Sequence, residues 1–205
     1  MGESHDISTL RLIQVVHRHG DRTPVLFVPN DPYINASIYW PEGVGELTLE
    51  GKYRMYRLGQ FLRQEYDSFL GHNFSPREVY ARSSLCSRCL ESLSLLLSGA
   101  YPPNNTVWQW SNGSDVELAH QWQPFPIETF MPEKYDAILD VEKHCPKADE
   151  EMNKIFNSEK VVKLLEENAE FLANLSESVG MEINSLKLTN RVYEDLTLEH
   201  NRGYK

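Results

Sequence analysis

The sequence predicts an α/β protein, and three observations carry that expectation. A short apolar run, Leu12 to Val16, breaks at Gly20 and reads as a buried strand running into a turn. A second run, Glu78-Val-Tyr-Ala-Arg-Ser-Ser84, reads as another strand, whose terminal serines can cap a following helix. Between and after these runs, apolar residues recur at three- and four-residue spacing, as on helices that cover a sheet.

The first strand leads into Arg18-His19-Gly20-Asp21-Arg22-Thr23-Pro24. Side chains just past such a strand stand at the carboxyl end of the sheet, where open α/β folds bind ligands. One imidazole flanked by two guanidiniums suits phosphoryl chemistry. The arginines can hold a phosphate by forked, charge-assisted hydrogen bonds, and a neutral imidazole can attack phosphorus. The whole heptad resembles the signature of the histidine acid phosphatases, in the lysosomal and prostatic branch rather than the phytases. The resemblance implies that His19 is the nucleophile forming a phosphohistidine and that Arg18 and Arg22 bind the phosphoryl group. It also implies a phosphoglycerate-mutase-like three-layer α/β/α sandwich with a smaller, mostly helical domain.

Residues 25–47 contain Pro29, Pro32, Pro41, Gly43 and Gly45 and are expected to form an irregular loop. Trp40-Pro-Glu-Gly-Val-Gly-Glu-Leu-Thr48 resembles a second conserved run of the same family. Thr48 is a good N-cap, and the helix it opens carries Met55, Leu58, Leu62, Tyr66 and Phe69 on one face for packing on the sheet. The strand ending near Arg82 is expected to lie parallel to the first and to bring Arg82 beside His19. Arg82 matches the family's third phosphate-binding arginine. The match departs from the family at Leu85, which stands where the family usually has an acid, while Arg88 is kept.

The helix after Arg82 is expected to bury Leu85, Cys86, Cys89, Leu90, Leu93, Leu96 and Leu97. Cys86 and Cys89 then fall inside that helix as two packed thiols, since no second Cys or His pair completes a zinc set. No metal or other cofactor is expected. Cys145, in His144-Cys-Pro-Lys147, resembles a family position whose disulfide partner lies much further along. Pro124 to Phe130 reads as extended. The tryptophans 108, 110 and 122 read as packing residues, and His120 and His144 as structural. Ser158 is expected to cap a helical segment carrying Val161, Leu165, Leu172, Leu175 and Val179 and closed by Gly180, with a second helix over Leu186 to Leu198. The expected division is 1–127 for the phosphatase part and 128–205 for the helical cap.

Net charge is −10 over 205 residues, and −7 of it lies in residues 128–205. This balance argues against nucleic acid or an anionic membrane as partner and makes the arginines near residue 20 a local positive island. No apolar run is long enough to span a membrane, and the first ten residues do not read as a signal peptide. Five sequons, at Asn35, Asn73, Asn104, Asn112 and Asn174, exceed the roughly one or two that chance would give and read as glycosylation acceptors of a secretory-pathway protein. The resemblance agrees, implying a lysosomal or secreted protein, and members of that branch are often homodimers.

A phosphatase of this kind must protonate its leaving alkoxide. In the family the acid is the Asp of a downstream His-Asp pair. The only such dipeptide here, His5-Asp6, precedes the motif and is not accepted as the donor. The chain is therefore expected to hold only the first part of the family domain, with an unpaired sheet edge, and to lack the proton donor. Two functional readings stay open: an acid phosphatase acting on small-molecule or protein phosphomonoesters, and a catalytically inactive phosphate-binding or secreted interaction protein of the same descent. A phytase-like inositol phosphate phosphatase is disfavoured, because residues 25–47 carry no Lys or Arg to meet a polyphosphate.

Overall fold

A computed structural model describes residues 7–102, 124–129, 139 and 145–204. Its helices are α1 (Ala36–Tyr39), α2 (Leu49–Tyr66), α3 (Ser87–Ala100), α4 (Pro146–Phe156), α5 (Glu159–Glu167), α6 (Ala169–Val179) and α7 (Leu186–Arg202). The chain divides into two compact units. The first comprises Met1–Asp21 and Leu47–Lys134, and the second Arg22–Glu46 and Tyr135–Lys205.

The first unit is built on α2 and α3. Thr48 caps α2 as expected, its hydroxyl accepting from the Gly51 amide at 3.0 Å. The two helices meet backbone to backbone. A Cβ on Gly59 would strike the Leu96 carbonyl, and one on Gly99 would strike the Tyr56 carbonyl, so each glycine sits where only hydrogen fits. α2 therefore meets α3 along Gly59 and Tyr56; of the face predicted to pack on a sheet, Met55 is buried, while Phe69 lies beyond the helix and is exposed. Beneath α3 lies a core of Phe74, Ala81, Leu93, Leu97, Ala100 and Tyr101, with Phe125 and Ile127 against it. Arg63 ties off the far end. Its guanidinium donates to the carbonyls of Ala100, Leu70 and Gly71 and lies over the Tyr101 ring. The last carbonyls of a helix have no partner within it, and Arg63 supplies one.

The predicted strands are not found among the described residues. Leu12–Val16 has no regular structure, and Leu12, Val15 and Val16 are 66, 44 and 79% exposed. A strand exists by pairing with a neighbour, and no ladder partner for this run is present among the described residues. Sheet-type pairing among the described residues includes an isolated parallel bridge, Arg82 with Glu128. There the Ser83 amide donates to the Glu128 carbonyl and the Glu128 amide to the Ala81 carbonyl, both at 2.9 Å. Of the expected extended segment at 124–130, the described residues 124–129 contribute one bridged residue, Glu128.

The second unit buries Val28, Leu172, Val179, Ile183 and Val192 in one core. The segment read as one helix from Ser158 to Gly180 is two, α5 and α6, interrupted at Asn168. The Asn168 side chain donates to the Leu164 carbonyl, satisfying a group the break leaves open. Gly180 closes α6 in the left-handed conformation, φ 74°. Asn30 then donates to the carbonyls of Glu177 and Ser178, pinning the loop 22–46 to that helix end. Ser185 caps α7, which runs one turn beyond the expected Leu198, to Arg202.

Loop 22–46 is held by its own polar residues. The buried Thr23 hydroxyl donates to the Gly43 carbonyl at 2.5 Å and accepts from the Glu46 amide at 3.2 Å. Gly43 and Gly45 take φ of 102° and 73°, a region that disfavours a side chain. Trp40 is 2% exposed. Arg202 covers it, forking onto Glu42 at 2.7 and 3.0 Å with its guanidinium over the indole. Tyr204 donates to the Tyr39 carbonyl at 2.6 Å and stacks on Tyr33. Among the described residues, no helix is long and apolar enough to cross a membrane.

Candidate active site

His19 follows the unpaired apolar run, and its position is set by Gly20 rather than by a sheet. Gly20 is buried, and its amide donates to the Ser92 hydroxyl at 3.1 Å. That hydroxyl in turn donates to the Arg88 carbonyl at 2.6 Å within α3. A Cβ on Gly20 would come within 2.5 Å of the Gly51 carbonyl, so the loop can press against α2 only as glycine. The next residue continues the docking. The Asp21 carbonyl accepts from the Thr48 amide and hydroxyl, and its carboxylate pairs with Arg54 at 3.1 Å.

The imidazole itself is half-buried, with Nδ1 2.8 Å from the Gly20 carbonyl oxygen. A carbonyl can only accept, so this contact assigns the proton to Nδ1. Nε2 then carries the lone pair. A neutral imidazole with its proton on Nδ1 and its lone pair on Nε2 is the tautomer that nucleophilic attack requires.

Arg18 is exposed and Arg82 half-buried, both in the same unit as His19. Arg82 sits at the bridge to Glu128, so its backbone is fixed by sheet-type bonds on either side. Arg22 belongs to the second unit, which the chain enters between Asp21 and Arg22. Its side chain, 11% exposed, donates to the Thr23 carbonyl at 3.0 Å and pairs with Glu194 at 3.5 Å. Arg82 occupies a short segment bridged to Glu128, whereas the sequence placed it at the end of a full parallel strand.

The sequence reading missed three positioning residues: Ser92, Gly51 and Thr23. Ser92 had a signal, being a fully buried hydroxyl among Leu93, Leu96 and Leu97 on the apolar face of α3. Also missed were the buried acids of the second unit, Asp31, Asp195 and Glu199. The latter two share the α7 face of buried Val192 at helical spacing. Burial pushes Asp195 up to about 6; Arg22 and Arg191 oppose that shift, while Asp31 and Glu194 add to it. Burial likewise pushes Glu199 up to about 7, helped by the charge of Asp31, its hydrogen bond with Asp31, and Asp195.

Cys86 corrects an expectation. It is not inside α3 but is its N-cap, in extended conformation at φ −144°, ψ 146°. Leu85, expected in the buried face, is 53% exposed. Of the sequons, Asn35 and Asn174 are exposed and Asn73 is half-buried, whereas Asn104 and Asn112 lie outside the described residues, as do His5, Asp6, His120, His144 and the tryptophans 108, 110 and 122. Cys145 is a half-buried free thiol at the N-cap of α4.

Comparison with known proteins places these features. The family model described as the histidine phosphatase superfamily, branch 2, matches residues 9–202. Human lysosomal acid phosphatase is 34% identical over 198 residues, 96% of this chain and 44% of its own length. Bovine prostatic acid phosphatase is 33% identical over 193 residues, 93% of this chain and 47% of its own. A Caenorhabditis elegans relative is 36% identical over 192 residues, 93% of this chain and 42% of its own. The chain thus spans less than half the length of these relatives, and the match runs through the His19 loop, the Trp40 loop and α2 to α7. It belongs to the histidine phosphatase superfamily, branch 2.

Proposed function

We propose that the chain carries the nucleophile of an acid phosphatase, which hydrolyses phosphomonoesters through a phosphohistidine on His19. The observation that carries this reading is the Nδ1 contact to the Gly20 carbonyl, which leaves Nε2 as the attacking atom. Nε2 forms a bond to phosphorus as the ester oxygen departs with its electron pair. Water then attacks phosphorus, the N–P bond breaks with its electron pair returning to Nε2, and inorganic phosphate is released. Arg18, Arg22 and Arg82 are assigned the equatorial oxygens, where fixed positive charge lowers the transition state.

The leaving alkoxide needs a proton, and no residue among those described is assigned that task. The three-layer α/β/α arrangement belongs to the same proposal, supported by the parallel Arg82–Glu128 bridge and the family match. So does a lysosomal or secreted location, supported by the names of the lysosomal and prostatic relatives and by the exposed sequons Asn35 and Asn174.

The test is hydrolysis at mildly acidic pH of p-nitrophenyl phosphate and glycerol phosphate side by side, with His19→Ala as control. p-Nitrophenolate leaves without a proton donor, because its conjugate acid has a pKa of about 7; an alkoxide does not. The reading expects cleavage of the nitrophenyl ester, abolished in His19→Ala, and a phosphoenzyme that is acid-labile and alkali-stable, as an N–P bond is. Absence of both activities from a folded chain would favour the second reading, a non-catalytic phosphate-binding protein.

A further inference from the structure

Inside an α-helix, a C-x-x-C pair sits at i and i+3 with Cβ atoms about 5–6 Å apart, too far for the roughly 3.5–4.5 Å that a disulfide spans. Cys86 escapes that geometry by being the N-cap. Its extended backbone turns its side chain back over the first turn of α3, toward the third helical residue, which is Cys89. The turn is closed behind it, since the Cys89 and Leu90 amides both donate to the Cys86 carbonyl at 3.1 Å. The Cys86 side chain makes no capping hydrogen bond. The Ser84 hydroxyl is 4.0 Å from the Cys86 sulfur, and both cysteines are half-buried free thiols.

We propose that Cys86 and Cys89 form a redox-active dithiol at the head of α3, with Cys86 the attacking sulfur and Cys89 the resolving one. Its reaction partner is a low-molecular-weight disulfide of the glutathione type. The two sulfurs are electrostatically unlike. Burial opposes ionisation of Cys86, yet the Cys89 thiol and amide, Arg88 and Ser84 outweigh it and lower its pKa. Burial and the neighbouring Cys86 sulfur instead raise the Cys89 thiol, against Ser84 and Arg88. Helix N-termini and neighbouring cations are the surroundings that make a cysteine reactive. The chemistry balances in two exchanges. The Cys86 thiolate attacks one sulfur of the small disulfide, forming a mixed disulfide and expelling one thiolate. The Cys89 sulfur then attacks Cys86, closing the intramolecular disulfide and expelling the second thiolate. Two protein thiols are oxidised, one disulfide is reduced to two thiols, and the cysteine protons pass to the departing sulfurs.

This dithiol stands on the α3 geometry and is independent of the phosphatase reading. The experiment uses the full reduced chain in glutathione redox buffers, followed by acid quench, alkylation and mass spectrometry. The expected product is two hydrogens lighter. Because trypsin cuts after Arg88, Ser83–Arg88 and the peptide beginning at Cys89 should run as one cross-linked species. Cys89→Ser is expected to trap a glutathione adduct on Cys86, whereas Cys86→Ser should leave Cys89 largely unreacted. Serine is itself a good N-cap, so the Cys86→Ser variant should fold, and circular dichroism checks that it does. At pH 6.5, Cys86 should alkylate about tenfold faster than Cys145. The proposal is overturned if the wild-type chain forms no Cys86–Cys89 cross-link at glutathione disulfide levels that modify Cys145, or if the cross-link joins Cys145 instead.

Discussion

The second unit is expected to lose stability as pH rises from mildly acidic to neutral, and three carboxyls set the size of the effect. Asp31, Asp195 and Glu199 are 5, 5 and 8% exposed. Asp195 titrates near 6 instead of 3.8, and Glu199 near 7 instead of 4.5. Raised carboxyl pKa values mean that the folded state holds more protons than the unfolded one between those limits. The stabilisation is therefore full below about pH 4 and is lost as pH climbs through 6 to 7. Each titration alone would correspond to about 3 kcal/mol. They do not add, since Asp31 contributes to both and water partly screens the site, so about 2 kcal/mol is expected in total. For a chain of this length that is about 4–8 °C in melting temperature between pH 4.5 and 7.5. The decisive quantity is the difference between wild type and Glu199→Gln, which isolates this carboxyl. The amide keeps the shape and a donor toward Asp31 but cannot ionise. It should melt like wild type at pH 4.5 and several degrees higher at pH 7.5, with hydrogen exchange over α7 following the same pattern. Identical slopes for the two proteins would refute the reasoning.

Further outcomes follow from named contacts. Gly20→Ala should cut nitrophenyl phosphate hydrolysis at least tenfold while leaving the chain folded, because the added methyl pushes the His19 loop off the Gly51 carbonyl. Steady-state kinetics with a circular dichroism control checks this. Trp40→Ala should cost about 3–5 kcal/mol by urea denaturation, the range for truncating a fully buried aromatic. Gly59→Ala and Gly99→Ala should each lower stability by about 1–3 kcal/mol, since the new methyl meets the backbone of the facing helix. Equal melting of these variants and wild type would show that α2 and α3 can separate at no cost.

Most of the helices were legible because their signals are local. Thr48 and Gly180 mark helix ends by capping chemistry that depends on neighbours only three or four residues away, whereas Ser158, also read as a cap, stands at the N-cap of α5 without a side-chain capping hydrogen bond. The break at Asn168 was missed because apolar spacing continues across it from Leu165 to Leu172, and periodicity does not register one kinked residue. The strands failed for the opposite reason. Leu12–Val16 has the composition of a strand, but its state depends on a partner elsewhere in the chain. The motif residues suggest a chemistry from sequence alone, while the contact that places a proton on His19 Nδ1 is not visible there. It is a contact to the next residue's own carbonyl, which no spacing pattern encodes. Cys86 and Cys89 illustrate the limit of one-residue boundaries, since shifting the start of α3 past Cys86 turns two buried thiols into an N-cap pair.

Around His19, glycines and one hydroxyl take over the positioning that sequence reasoning gave to a sheet. Gly20 lies on Gly51, Gly51 against the Asp21 backbone, and Gly59 and Gly99 bring α2 and α3 into backbone contact. A loop laid directly on helix backbone has no flexible side chain between them to yield, so it is held closely. Ser92 completes the arrangement by accepting from Gly20 and donating to Arg88, which links the His19 loop to the first turn of α3. That turn is also the one bearing Cys86 and Cys89. A change in sulfur oxidation state there would strain the segment that supplies the Arg88 carbonyl, and the hydroxyl between them would carry the strain to Gly20. Phosphate chemistry at His19 should therefore respond to thiol oxidation, and Ser92→Ala should uncouple the two while leaving the disulfide free to form.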